Sequence, residues 1–174
     1  QLSRVQFEQA NNMTDTMAVL EAINDSEHTF RDQALAIFAR QWKDDALVMD
    51  KWFSLQARSS KPNVLDDVKT LQAHPCFSIK NPNKVRSLIG VFSAVNHTAF
   101  HNRDGSGYEF LADKVIELNA INPQIASRLV KPLISWKKYD SERQALMKAA
   151  LEKIKAVPDL SRDVFEIVNA SLSD

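Results

Sequence analysis

The chain has 174 residues, 44% of them hydrophobic and 25% charged, a balance that suits one compact domain with a buried core and excludes a disordered chain. Lysine plus arginine number 22 and aspartate plus glutamate number 22. No long-range field draws in nucleic acid or an anionic membrane, so neither is expected as a partner and any charged site must be local.

The first residues, Gln1-Leu2-Ser3-Arg4, have no initiating methionine, basic segment or apolar run, so the start is expected to be an interior point of a longer chain. Apolar residues then recur at helical spacing: Phe30, Ala34, Ile37 and Phe38; Val48, Trp52 and Leu55; Val85, Leu88, Ile89 and Phe92; Leu111, Val115 and Leu118; Met147, Ala150, Leu151 and Ile154; Val164, Ile167, Val168 and Leu172. Each set puts one helix face against a core. No segment alternates with period two in β-branched residues, so the fold class is all-α. The charge-free stretch from Ser87 to Asn102 is broken by Asn96, His97 and His101 and falls short of the ~20 apolar residues that span a bilayer.

Connections fall at Lys61-Pro62-Asn63, His74-Pro75, Asn81-Pro82, Asp104-Gly105-Ser106-Gly107, Asn122-Pro123, Tyr139-Asp140 and Pro158 to Ser161. In Asn122-Pro123 the asparagine can cap the first turn while proline fills the first helical position. This spacing predicts roughly nine to ten helices of about 10 to 17 residues, each packed antiparallel on the next. Such stacked antiparallel hairpins form an armadillo- or HEAT-like α-solenoid in preference to a compact bundle. No fixed-period self-similarity is visible, and no linker divides the chain, so residues 1–174 are expected to be a single helical domain.

Candidate chemistry is sparse. His97-Thr98-Ala99-Phe100-His101 would place two histidines on one helix face, but the zinc peptidase pattern needs a glutamate directly after the first histidine, where Thr98 stands. The pair reads as two polar surface histidines at a helix-to-loop transition. Asp104-Gly105-Ser106-Gly107-Tyr108 lacks the lysine of a phosphate loop and follows no strand; it reads as a tight connection in which Ser106 can cap. Cys76 is the only cysteine, which rules out an intramolecular disulfide, a Cys-based zinc knuckle and a redox pair, and it suits a reducing, cytoplasmic compartment. It is expected to behave as a small hydrophobe. No catalytic residue and no metal ligand set is read in this chain.

Two arginines stand out. Gln124 and Arg128 lie four apart near the start of one helix and share a face that could hold carbonyls or a carboxylate. Pro132 removes the hydrogen bond to the Arg128 carbonyl and should kink the helix there. Arg86 lies beside the Val85-Leu88-Ile89-Phe92 stripe, with Gly90 one turn on, where glycine provides space or a close approach. The competing interpretation is that these arginines pair with carboxylates on a solvated surface.

Asn81-Pro82-Asn83-Lys84-Val85-Arg86-Ser87-Leu88-Ile89-Gly90, Asp104-Gly105-Ser106-Gly107-Tyr108, Asn122-Pro123-Gln124-Ile125-Ala126-Ser127-Arg128-Leu129 and Leu47-Val48-Met49-Asp50-Lys51-Trp52-Phe53 are similar to the C-terminal domain of the bacterial aminopeptidase N family. The resemblance runs from about Asn12 to Leu172. It implies a zinc-dependent parent enzyme that removes N-terminal amino acids from peptides, with this chain as roughly the last half of a helical domain covering the active site. Zinc and hydrolysis belong to the parent, so no cofactor is expected here; the implied partners are the catalytic domain of the same polypeptide and peptide substrates. Carried over residue by residue, the resemblance assigns Arg86, Gln124 and Arg128 to the primed side of the cavity, beyond the cleaved bond, and leaves them solvent-exposed in this chain alone. The alternative is a free-standing α-solenoid that binds a protein or peptide.

Overall fold

A computed structural model describes residues 2–173. In chain order the helices are α1 (Leu2–Gln9), α2 (Met13–Ile23), α3 (Thr29–Trp42), α4 (Ala46–Ala57), α5 (Val64–Leu71), α6 (Pro82–Val85), α7 (Val91–Val95), α8 (His97–Phe100), α9 (Ser106–Ile121), α10 (Pro123–Leu129), α11 (Lys131–Ile134), α12 (Ser141–Lys155) and α13 (Arg162–Ser173). A π-helical turn, Arg86–Gly90, joins α6 to α7, and a 3₁₀ turn, Trp136–Lys138, precedes α12. Among the described residues there is no strand. The fold is an all-α solenoid: consecutive helices from α1 to α5 pack on one another, and α9 to α13 form a second layer in which α9 meets α10 and α12 and α13 meets α10 and α12.

The helices are more numerous and shorter than the periodicity predicts, because three local interruptions divide what reads as continuous pattern. The π turn widens the segment between α6 and α7. Asn96 stops α7: its backbone turns to φ −83°, ψ 75°, and its Oδ1 accepts from the Ala99 N–H to start α8. The Asn96 Nδ2 donates to the carbonyls of Ala57 and Ser59, at 2.9 and 2.8 Å, so the same side chain ties this corner to the end of α4. Pro132 makes the third break, and α10 ends at Leu129 with α11 beginning at Lys131, as the missing N–H requires.

The Asn-Pro signals act as read. Asn81 accepts from the Asn83 N–H at 3.0 Å with Pro82 in the first turn of α6. Asn122 closes α9 through its own N–H to the Leu118 carbonyl and opens α10 by accepting from the Ile125 N–H, so a single residue joins two helices. The glycine loop differs from expectation. Ser106 is already the first residue of α9, and the capping acceptor is Asp104, whose Oδ1 takes the Ser106 N–H at 2.9 Å. Those hydrogen bonds hold the Asp104 carboxyl below its ordinary range. Gly105 supplies φ +73°, and a Cβ on Gly107 would stand 2.3 Å from the Phe100 carbonyl oxygen, so α9 approaches α8 as closely as only glycine allows.

Most of the apolar stripes are buried as read; Val85, Leu88, Ile89 and Phe92 are at most 1% exposed. Ile37 is the exception at 43%, because α3 turns Ala34, Leu35, Phe38 and Ala39 inward and leaves position 37 on the opposite side. Lys84, by contrast, is buried on α6. Its Nζ donates to Asp50 Oδ1 at 2.7 Å and to the Ala46 carbonyl at 2.8 Å, which ties α6 to the first turns of α4. Among the described residues, no helix is long and apolar enough to cross a membrane.

Candidate functional site

The segment from α6 through the π turn to α7 forms one wall of a groove of about 590 Å³, and α10 with α11 forms the other. Pro82, Val85, Val91, Ile125 and Leu129 give it apolar walls, while Arg86, Arg128 and Lys131 bring cationic groups. Among the described residues, no aspartate or glutamate lines it.

The sequence places Arg86 here through Asn81 and Lys84. The asparagine cap fixes where α6 begins, and the buried Lys84 ammonium sets its rotation, so Val85 faces the core and Arg86 the solvent. The π turn then starts at Arg86. Its extra residue per turn presents Arg86 and Gly90 together at the groove, and the Ser87 carbonyl accepts the Ser54 hydroxyl at 3.0 Å. Of the two alternatives at Gly90, space or a close approach, the structure shows space: a Cβ there would meet nothing nearer than Arg86 Cγ and the Val85 carbonyl, both at 3.7 Å. Gly90 leaves room in the groove and does not relieve a clash.

Arg128 projects from α10 on the facing wall, one residue before the buried Leu129. Arg86 donates to Asn83 Oδ1 at 3.3 Å. Among the described residues, neither Arg86, Arg128 nor Lys131 takes part in an ion pair. The expectation of a solvated surface network, in which these arginines pair with carboxylates, is therefore not met. Gln124 is exposed one turn earlier on α10, outside the groove lining.

The far end of the groove is aromatic. His97, His101 and Tyr139 all line it. The rings of His97 and His101 are nearly parallel, 12° apart in plane and 6.2 Å between centroids, and His101 stacks on Tyr139 at 4.3 Å and 26°. The sequence reading of two surface histidines holds for His97 alone. His101 is half-buried, with Nδ1 2.8 Å from the Tyr108 hydroxyl, and burial pulls its pKa down to about 4, helped by the nearby His97 and Arg143. Burial likewise pushes Tyr108 up to about 12. This end was missed in the sequence because it joins α8, α9 and the turn before α12, and the one available signal was the pair of histidines itself.

These residues do not suit a metal. The described residues contain no group of three or more His, Cys, Asp or Glu that could hold one, and the His101 Nδ1 is engaged with Tyr108. Cys76 is half-buried, its thiol directed at the Lys43 carbonyl at 3.6 Å. The groove can hold carbonyls or a carboxylate at its guanidinium groups and apolar side chains along its walls.

Comparison with known proteins finds relatives over nearly the whole chain. A family described as a domain of unknown function (DUF3458_C), ARM repeats, matches residues 1–173. The chain is 49% identical over 166 residues to aminopeptidase N of Haemophilus influenzae and 48% identical over 168 residues to aminopeptidase N of Escherichia coli, covering 95% and 97% of this chain. It spans 19% of the length of each of those relatives. A crystal structure of Legionella pneumophila aminopeptidase A in complex with aspartic acid superposes with a TM-score of 0.92 at 36% identity, over 99% of this chain and 20% of that one. The chain belongs to the DUF3458_C ARM-repeat family and corresponds to the C-terminal ARM-repeat domain of aminopeptidase N.

Proposed function

We propose that residues 1–174 act as one non-catalytic helical unit of a zinc-dependent aminopeptidase. The unit covers the active site of the same polypeptide and lines the primed side of its peptide-binding cavity. The parent enzyme removes N-terminal amino acids from peptides. Arg86 and Arg128 hold the peptide beyond the cleaved bond, and Gln124 contributes from the exposed turn before Arg128.

The observation that carries this reading is the groove. Two guanidinium groups from facing walls reach an apolar channel that, among the described residues, no carboxylate lines. Arginines kept for a surface network would have acidic neighbours; arginines kept for a peptide need carbonyl or carboxylate oxygens, which a substrate supplies. Zinc, general base and amine anchor lie in the remainder of the polypeptide, and no step of hydrolysis is assigned to this chain. The reading places the enzyme in the cytoplasm, which suits the lone thiol of Cys76.

The test is steady-state kinetics of the full-length enzyme with Arg86→Ala and Arg128→Ala, on oligopeptides and on an amino acid joined to a small chromogenic leaving group. Loss confined to the peptides supports the reading. Equal losses on both substrates contradict it.

A further inference from the structure

The groove has two poles. Arg86 and Arg128 face one another at the first, and His97, His101 and Tyr139 form the second. His97 follows Arg86 by eleven residues, across the π turn, α7 and the break at Asn96.

We propose that His97, His101 and Tyr139 form a distal subsite that takes an aromatic side chain of the peptide, beyond the point where Arg86 and Arg128 hold it. The inference rests on the primed-side reading of those arginines and goes beyond it by naming a second site and its ligand class.

The second pole is built as a platform. Its three rings stack in sequence, His97 on His101 and His101 on Tyr139. His101 and Tyr139 are held from behind. Phe100 and Tyr108 pack edge-on against His101 at 4.9 and 5.5 Å between centroids, and the Tyr108 hydroxyl engages its Nδ1. Arg143 Nε donates to the His101 carbonyl at 2.9 Å, and Gln144 Nε2 donates to the Tyr139 carbonyl at 2.8 Å. A surface ordered in advance loses little freedom when a ligand arrives. His97 is exposed and closes the series, so one end of the stack is left without a neighbouring ring.

The chemistry of the platform suits an aromatic guest. With its pKa near 4, the His101 imidazole is neutral at neutral pH, and the charged neighbours Arg143 and Asp140 are bonded to each other at 2.7 Å. Lys131 and Ser135 line the same groove and leave room for the peptide backbone to find polar partners. Flat rings gain from offset stacking on such a surface.

The experiment uses the full-length enzyme and octapeptides of alanine and serine in which a single phenylalanine is moved from position three to position eight. The rate of release of the N-terminal residue gives kcat/KM for each peptide relative to the all-Ala/Ser parent. The subsite predicts one maximum of threefold to tenfold, at a single position of the series, expressed in KM more than in kcat. In His97→Ala that maximum falls to the level of its neighbours, and Tyr139→Leu does the same. Because each ratio compares two peptides on one protein, a variant that merely lowers the amount of folded enzyme leaves the ratio unaltered.

A flat profile in the wild-type enzyme overturns the subsite, as it would if another part of the polypeptide covered the stack. A maximum that survives in both His97→Ala and Tyr139→Leu also overturns it. Either result leaves the primed-side reading standing if Arg128→Ala still weakens oligopeptides selectively, so the two ideas fail separately.

Discussion

The Tyr108 hydroxyl lies 2.8 Å from His101 Nδ1, beneath the aromatic end of the groove. Tyr108 is 1% exposed and reaches His101 from α9, so the bond joins the helix that carries the core to the short helix that ends at the groove. It also fixes the plane of the imidazole on which Tyr139 stacks.

That burial has a pH consequence. The His101 pKa falls from 6.5 to about 4 on folding, so between those values the unfolded chain binds a proton that the folded chain does not. Stability from this group is fully present above about pH 6.5 and is lost as pH falls toward 4. The size is about 1–3 kcal/mol, reduced by partial solvent access. Denaturant unfolding of wild type and His101→Phe between pH 4 and 7 checks it. The wild type should lose stability across this window and the variant should lose less; parallel curves would show that His101 is not the titrating group.

Two glycines separate close approach from open space. Gly107→Ala puts a Cβ 2.3 Å from a backbone oxygen of α8 and should cost about 3 kcal/mol or more. Gly90→Ala meets nothing nearer than 3.7 Å at helical φ and ψ, and should stabilise by about 0.5–1 kcal/mol. Midpoints from urea unfolding should move in opposite directions.

Lys84→Met leaves Asp50, only 18% exposed, without its ammonium. Breaking one side of a buried pair should cost about 2–3 kcal/mol after allowance for that exposure. Lys84→Arg should retain part of the stability. If Lys84→Met melts with the wild type, the pair does not fix α6, and another contact must orient Arg86.

The purified chain should melt at the same temperature with and without EDTA, and should hydrolyse no aminoacyl substrate with added zinc, since among the described residues the titratable side chains gather no metal ligand set. Scanning calorimetry and a chromogenic assay check the two halves. A midpoint that drops with chelator would reveal a structural metal.

The parts of the fold legible in the sequence were those written in local chemistry. Asn81, Asn122 and Pro132 announced where helices begin and break, because capping and the missing proline N–H act within one turn. The π turn was invisible, since Val85, Leu88, Ile89 and Phe92 keep ordinary helical spacing across it and are all buried. Nothing in the sequence set Lys84 and Arg31 apart, 5% and 4% exposed, because their partners, Asp50 and the Asn24 carbonyl, come from other parts of the fold. Arg86 and Arg128 could be singled out by position and by family resemblance. That they share a groove, that Gln124 stands outside its lining, and that Tyr139 closes its far end depend on the packing of α10 and α11 beside the π turn.

The central claim is that Arg128 touches the peptide and not the reacting amino acid. The most direct measurement is kcat/KM of full-length wild type and Arg128→Ala on tetra-alanine and on alanine p-nitroanilide. Loss of a charge-assisted hydrogen bond in a partly enclosed cavity is worth about 1.5–3 kcal/mol, so tetra-alanine hydrolysis should fall roughly tenfold to a hundredfold. The anilide should lose far less, and Gln124→Ala should follow the same pattern with smaller losses, since a neutral amide bonds more weakly. Equal losses on the two substrates would contradict the account and assign Arg128 to the fold or to contact with the rest of the enzyme.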